Sequence, residues 1–265
     1  MRACNNASLP GQRLPFLVGR HAVGWVSDRI AQALLGMPGI VCSQNCIALT
    51  DPAALPDLAW DLSVRGLYRW RGEAFDVRAH PDGSVLTKID RGAIPSFGIQ
   101  AAGVHVNGLV HRPDGLHLWI ARRANDKLLD PGKLDNVVAG GVPAGFGILE
   151  TLVKEAAEEA SIPAALAVRA VRAGVIEYAM DRAEGLRRDV LHCYDLVLPD
   201  DFIPVAADGE VEAFELWPLA RALAAVRDTD DFKFNVNLVL IDLFIRTGTI
   251  AGPEAADLRA ALSRD

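Results

Sequence analysis

The chain has 265 residues, 51% hydrophobic and 23% charged, an ordinary globular balance with enough apolar material for one large domain or two modest ones. Its net charge of −7 argues against a general nucleic-acid binder or a binder of anionic membranes. An anionic substrate remains compatible with that charge, because a bound metal ion would reverse the local sign.

Residues 1–14 are polar and punctuated by Pro and Gly, which predicts a loose end. Residues 16–26 read as a strand-like run. Ser27 or Asp28 can then cap a helix whose apolar positions are Ile30, Ala31, Leu34 and Leu35, with Gly36 as its stop. A second helix is expected around residues 57–67. The stretches 75–79 and 85–89, joined by HPDG, read as a hairpin. Together these form a small α+β unit, 1–97. The remainder divides into a larger domain, 98–250, and a helical tail, 251–265.

The larger domain opens with another hairpin, 104–110 and 116–121, around RPDG. In GVHVNGLV the alternation puts Val104, Val106 and Gly108 on one face and His105, Asn107 and Leu109 on the other. Arg122, Arg123 and Lys127 concentrate positive charge in the loop that follows. Such a turn is commonly just solvated, but these residue types also bind phosphate oxygens. After the central helix, residues 168–180 and 190–198 read as strands. Glu210 and Glu212 stand at strand spacing and are expected on one face. Residues 216–226 and 234–247 read as closing helices, the second apolar nearly all round and therefore buried.

Cys42 and Cys46 have no second Cys or His pair to complete a zinc site. The leading apolar run is interrupted by Arg20 and His21, unlike a signal peptide, and residues 236–245 fall far short of the ~20 needed to span a bilayer. These features predict a cytoplasmic protein.

Residues 140–162, GGVPAGFGILETLVKEAAEEASI, carry the chemistry. A Gly-Gly turn leads into a helix on which Glu155, Glu158 and Glu159 share an arc roughly 100° wide. Leu149, Leu152, Val153, Ala156 and Ala160 occupy the adjoining arc and are expected to bury. Carboxylates crowded at the edge of a buried face need a cation among them or raised pKa values. Hard oxygen ligands on a rigid helix suit Mg2+ or Mn2+.

This stretch resembles the Nudix box, G-x5-E-x7-R-E-U-x-E-E-x-G-U, with U a bulky aliphatic residue. Lys154 stands for the Arg, Ala156 for U and Ser161 for the Gly. The loop is one residue short, with Phe146 and Gly147 where the box has a Glu. The flanks GVHVNGLV, LHLWIARRANDKLLDPGKLDNVVAGG, DGEVEAFELW and FNVNLVLIDLFIRTG are similar to the Nudix subfamily attached to eukaryotic thiamine pyrophosphokinases, over about residues 73–250. In that subfamily the short loop and the Lys-Glu pair are the usual form.

The resemblance implies a Nudix α/β/α sandwich with a mixed sheet, preceded by the small α+β unit. It implies a metal-dependent hydrolase that cuts an organic diphosphate, thiamine diphosphate or its oxidised analogues, to the monophosphate. Glu155, Glu158 and Glu159 are then the metal ligands. Glu210 or Glu212 joins them as a further ligand or general base. His105, Asn107, Arg122, Arg123, Lys127, Gly140 and Gly141 form the substrate-binding set. Trp25, Tyr68, Trp70 and Phe75 are available to stack on rings. Alternatives are a hydrolase of nucleoside diphosphate derivatives such as ADP-ribose, and a non-catalytic ligand-binding module. The expected partner is a small-molecule diphosphate, with no nucleic acid or membrane, and a homodimer is compatible with the reading.

Overall fold

Apolar residues in the first hundred positions close one core, and those beyond close others, in the computed structural model, which describes residues 2–262. The run over residues 16–26 is two antiparallel strands rather than one, β1 (Leu14–Val18) and β2 (His21–Val26). Gly19 takes φ +60° between them and reverses the chain. Next come α1 (Asp28–Leu34), with Ser27 at its N-cap, then β3 (Ile40–Cys42), β4 (Ile47–Leu49) and α2 (Leu55–Val64). The sheet order is β2-β1-β4-β3, with β1 and β4 parallel. Leu35, expected in the core, is exposed, because the helix has already ended at Leu34. The hairpin forms as β5 (Ala74–Val77) and β6 (Thr87–Asp90), and α3 (Ile94–Phe97) brings Phe97 onto Phe16 at 4.8 Å between centroids.

The second part is organised on β7 (Gln100–Arg112), a long strand with different partners along its length. With it come β8 (Gly115–Arg123), β9 (Leu134–Asn136), β10 (Val138–Gly141), α4 (Ile148–Ala160), α5 (Ala164–Ala167), β11 (Val171–Arg182) and β12 (Gly185–Val197). The chain closes with β13 (Val211–Pro218), α6 (Leu219–Asp228), α7 (Val236–Arg246) and α8 (Gly252–Leu262); residues 263–265 of the expected tail lie outside the described residues.

The sheet runs β11-β12-β7-β8-β13, with β10 also on β7 and β9 on β8. β12 lies parallel to β7, and the other pairs of this sheet are antiparallel. One edge of β7 holds β10 through Gly103–Val106 positions and β8 from Gly108 onward, so the sheet forks there. Val104 and Val106 pack with Leu152, Ala156 and Ala160 of α4, whereas Leu109 packs with Val236, Leu240 and Phe244 of α7. These two faces make the expected α/β/α sandwich with a mixed sheet. The helix expected from residue 216 begins at Leu219, because Leu216 and Trp217 still pair with Trp119 and Leu118 before Pro218 turns the chain.

The leading residues are not loose. Cys4 Sγ donates to the Phe234 carbonyl at 2.9 Å, and the Asn5 and Asn6 side chains accept from the Ala179 and Asp181 amides at 3.2 and 2.7 Å. They supply acceptors to the open edge of β11, whose amides would otherwise lack them.

Asp90 ties the first unit to the cleft described below. Its side chain, 3% exposed, accepts from the backbone amides of Arg71 (2.9 Å), Gly72 (2.8 Å), Glu73 (3.2 Å) and Gly92 (2.8 Å). One carboxylate thus shapes the whole loop 69–73. Asp90→Ala strands these donors and is expected to lower the unfolding free energy by about 3 kcal/mol, measured by urea denaturation.

Candidate active site

The central helix starts and stops for local reasons. Glu150, at the third helical position, accepts from the Gly147 amide at 3.3 Å, and its charge suits the positive end of the helix. Ser161 ends the helix at φ +53°, in the left-handed region, and its Oγ donates to the Val205 carbonyl at 2.9 Å. Leu152, Ala156 and Ala160 are buried as expected, with Val153 partly so. Leu149 is corrected to exposed: it sits in the first turn, before the helix reaches the sheet, and Thr151 takes the buried place.

With that face down, Glu155, Glu158 and Glu159 point along one wall of a cleft of about 1240 Å³. Glu159 is buried, and its Oε2 accepts from the Ala139 amide at 2.9 Å. Burial pushes its pKa well above the ordinary carboxylate range; Asp135, Glu155 and Glu210 push the same way, against the Ala139 bond. Burial also raises Glu155, despite Lys154, with Glu158 and Glu210 adding repulsion. Gly140 is required for close approach. A Cβ there would lie 2.6 Å from both Cγ and Cδ of Glu155, and one on Gly141 would lie 2.6 Å from Cζ of Phe75.

Lys154 Nζ bridges Glu155 Oε1 at 3.1 Å and Glu158 Oε2 at 2.5 Å. An ammonium therefore stands in for the cation that this donor set calls for. Among the described residues no three candidate ligands are already gathered at ligating distance. The donors themselves, carboxylate oxygens crowded on a rigid helix, fit a hard divalent ion such as Mg2+ or Mn2+, which would relieve their mutual repulsion.

Glu210 and Glu212 do not share a face. Glu210 precedes β13, lines the cleft and is ion-paired with Lys127. Burial acts to raise its pKa, but Lys127 outweighs that and holds it below the usual value. Glu212 lies beyond a bulge in β13, accepts from Asn125 Nδ2 at 3.1 Å and is exposed away from the cleft. The bulge resets the alternation on which the expectation rested.

The basic trio is also divided. Lys127 lines the cleft. Arg123 reaches it but is committed to Asp135 Oδ2 at 2.9 Å and to the Leu129 and Asp130 carbonyls. Arg122 points outward, to the Gly132 carbonyl at 3.2 Å and to Glu215 at 3.9 Å. His105 borders the cleft, buried, and burial followed by Lys233 lowers its pKa to about 4, so it is neutral. Asn107 is fully buried and outside the cleft lining, held between Asn136 and Asp195.

Tertiary folding adds residues that sequence reasoning missed. Asp135 is buried and lowered in pKa, because Lys233 (3.2 Å) and Arg123 more than offset its burial. Lys233 and Asn235 also line the cleft. A usable signal was present: lone polar residues at alternate positions in KFN, just before an apolar helix. The opposite wall comes from the first unit. Trp25, Tyr68, Trp70 and Phe75 line it with Arg69, Arg71 and Arg91. Trp70 stands edge-on to Trp60 at 5.0 Å, and Arg188 covers Trp25 at 4.2 Å. Burial, then Arg91 and Arg69, lower the Arg71 pKa, a mark of crowded positive charge.

A family model described as the NUDIX domain matches residues 102–237. Nudix hydrolase 20, chloroplastic, of Arabidopsis thaliana is 37% identical over 273 residues, covering 96% of this chain and 73% of that protein. Nudix hydrolase 24, chloroplastic, of the same plant is 44% identical over 180 residues, covering 68% of this chain and 49% of that protein. A crystal structure from Deinococcus radiodurans aligns with a TM-score of 0.49 at 20% identity, covering 63% of this chain and 97% of that one. The expected cytoplasmic location is overturned by the two plant relatives, which are chloroplastic proteins. The interrupted apolar run at the start of the chain bears only on a secretory signal, so it does not decide among compartments. No described helix is long and apolar enough to cross a membrane.

The raised Glu159 pKa makes a stability prediction for the metal-free protein. Glu159→Gln keeps an acceptor for the Ala139 amide and removes the buried charge. Because the folded pKa lies above the unfolded one, the parent loses stability as pH rises toward and through the folded value. The variant is therefore expected to be more stable than the parent at neutral pH, the gap closing as pH falls and the parent protonates. Urea titrations at several pH values with a chelator present check this.

Proposed function

The chain belongs to the Nudix family and is a hydrolase of phosphorus anhydrides, and on that premise we propose that it cleaves thiamine diphosphate or, preferentially, its oxidised analogues. The observation that carries the reading is the two-sided cleft. Carboxylates suited to a metal–diphosphate face an aromatic and arginine-rich wall supplied by a separate unit. The family chemistry reads only the diphosphate, so the second wall is where an organic group can be distinguished.

Glu155, Glu158 and Glu159 would hold the Mg2+ or Mn2+ ions, which when bound lower the pKa of water and neutralise charge on the diphosphate. The chain's own groups do the rest. Glu155 Oε2, the oxygen not bonded to Lys154, accepts the proton of the attacking water. Lys154, beside Glu155 and Glu158, and Lys127, beside Glu210, would supply positive charge to the phosphate oxygens. Trp70, which meets Trp60 edge-on, offers a face for the rings.

The preference for oxidised analogues has a physical basis in the wall itself. Arg69 and Arg71 line the cleft beside the aromatic wall, where a thiazolium cation would meet like charge and a neutral ring would not; Arg91 is paired with Glu73. This moves the source of the effect from the loop with Arg122, Arg123 and Lys127, whose charges are paired internally, to the first unit. The cleft also exceeds the usual volume range of small-ligand sites, so nucleoside diphosphate derivatives such as ADP-ribose belong in the same test.

The deciding experiment is a magnesium-supplemented hydrolysis screen that reads phosphate release from thiamine diphosphate, its neutral-ring analogues and pyrophosphate, and AMP release from ADP-ribose. The neutral-ring compounds are expected to give the highest kcat/KM, with an advantage that shrinks at high salt. A preference for ADP-ribose overturns the thiamine reading and leaves the hydrolase standing. Glu159→Gln should lose at least ~100-fold in kcat with any good substrate. Trp70→Ala should weaken ring-bearing substrates more than pyrophosphate, with Tm measured alongside to exclude unfolding.

A further inference from the structure

A series of polar side chains on the α7 side of the sheet has a single direction. Arg246 is ion-paired with Asp195, so the Asp195 carboxylate serves as acceptor at one end. Asn107 Nδ2 donates to Asp195 Oδ1 at 2.9 Å, which turns Asn107 Oδ1 toward Asn136. Asn136 Nδ2 donates to that oxygen at 2.8 Å, leaving Asn136 Oδ1 to face His105 Nδ1 at 2.8 Å. The imidazole therefore carries its proton on Nδ1 and presents Nε2 as a bare acceptor, consistent with its neutral state. Asn235 Nδ2 faces Nε2 at 3.5 Å, and this turns the Oδ1 of the last amide away from the imidazole.

Asn235 Oδ1 is where the series stops. The residue is 4% exposed and lines the cleft, and this oxygen has no hydrogen-bond partner among the described residues. Every donor in the series points back toward Asp195, so each bond polarises the next and the final carbonyl is the negative end of the chain. A buried amide oxygen left unpaired carries the full penalty of its lost hydration. A phosphate oxygen cannot satisfy it, being an acceptor itself. A cationic donor would enter beside two charge pairs that are already balanced, Lys233 with Asp135 and Arg187 with Asp189, and would bury a charge with no counter-ion of its own.

We propose that Asn235 Oδ1 is a specificity-determining acceptor that receives a neutral N–H of the substrate's organic group, the exocyclic amine of an aminopyrimidine or aminopurine. Asn107, Asn136 and His105 are positioning residues that fix its orientation from Asp195. The inference rests on the cleft being the substrate site, as in the proposed function.

The test uses matched probes: thiamine diphosphate and ADP-ribose, each beside an analogue with hydrogen in place of its exocyclic amine. Phosphate or nucleotide release and calorimetric binding are both measured. For at least one pair, the parent protein should prefer the amino compound by about 10- to 100-fold. Asn235→Leu should bring that ratio close to one. Asp195→Asn, which cannot touch the ligand, should reduce it by releasing the direction of the series, an effect that a purely structural role would not have. No amino preference in the parent, or an undiminished preference in Asn235→Leu, overturns the proposal. If no probe is hydrolysed, the functional reading fails separately, and the binding ratios decide the acceptor by the same criteria. If Asn235→Leu does not fold, the parent's own Asn235 side-chain amide resonances decide. They should shift with the amino probe and not with its partner, and equal shifts overturn the proposal.

Discussion

The contact between Glu155 and the bare Cα of Gly140 is the constraint on which the site depends. It lets α4 lie so close to β10 that Glu159, one turn on from Glu155, reaches the Ala139 amide. A side chain at position 140 would collide with Glu155 and displace its carboxylate. Held where they are, Glu155 and Glu159 lose water and repel each other, and their pKa values rise. Lys154 partly relieves the repulsion in the resting protein, which makes it both a counter-ion and a competitor for the cation.

The cleft's two chemistries have separate structural supports. On the catalytic side, Arg123 and Lys233 flank Asp135 beneath the carboxylates, keeping charge balanced without bringing a mobile cation into the site. On the opposite side, Asp90 collects four backbone amides and so presents loop 69–73, with its arginines and Trp70, as a shaped wall. Phe75 against Gly141, and the Ala144 amide on the Ala74 carbonyl at 2.8 Å, lock that wall to the catalytic half. The first unit is thus part of the site rather than an appendage.

Buried polar groups here are joined in chains with defined ends. Tyr178 donates to Asp189, which Arg187 also engages at 3.1 Å, and Arg182 lies over the Phe234 ring at 4.7 Å. The Asp195 series differs in ending on an unpaired buried oxygen, in a residue that lines the cleft. That difference is what separates a satisfied structural network from one that still has a bond to give.

Much of the architecture was legible in the sequence because it is written in local periodicity. The period-3.6 pattern of α4 put Glu155, Glu158 and Glu159 on one edge, and the all-round apolar character of residues 234–247 marked a buried helix. Period-2 alternation in GVHVNGLV correctly separated the α4 face from the α7 face. What failed, failed where geometry breaks the period: a bulge sent Glu212 away from Glu210, Gly19 split one strand into two, and an early helix turn left Leu149 in solvent. The roles of Arg122, Arg123 and Asn107 depended on partners 10 or more residues away, such as Glu215, Asp135 and Asp195. No local pattern encodes which charge meets which. Sequence alone therefore named candidate groups whose chemistry suits a diphosphate and its metal. Only the tertiary structure decided which of them remain available to a ligand, because availability is what is left after long-range pairing has consumed the rest.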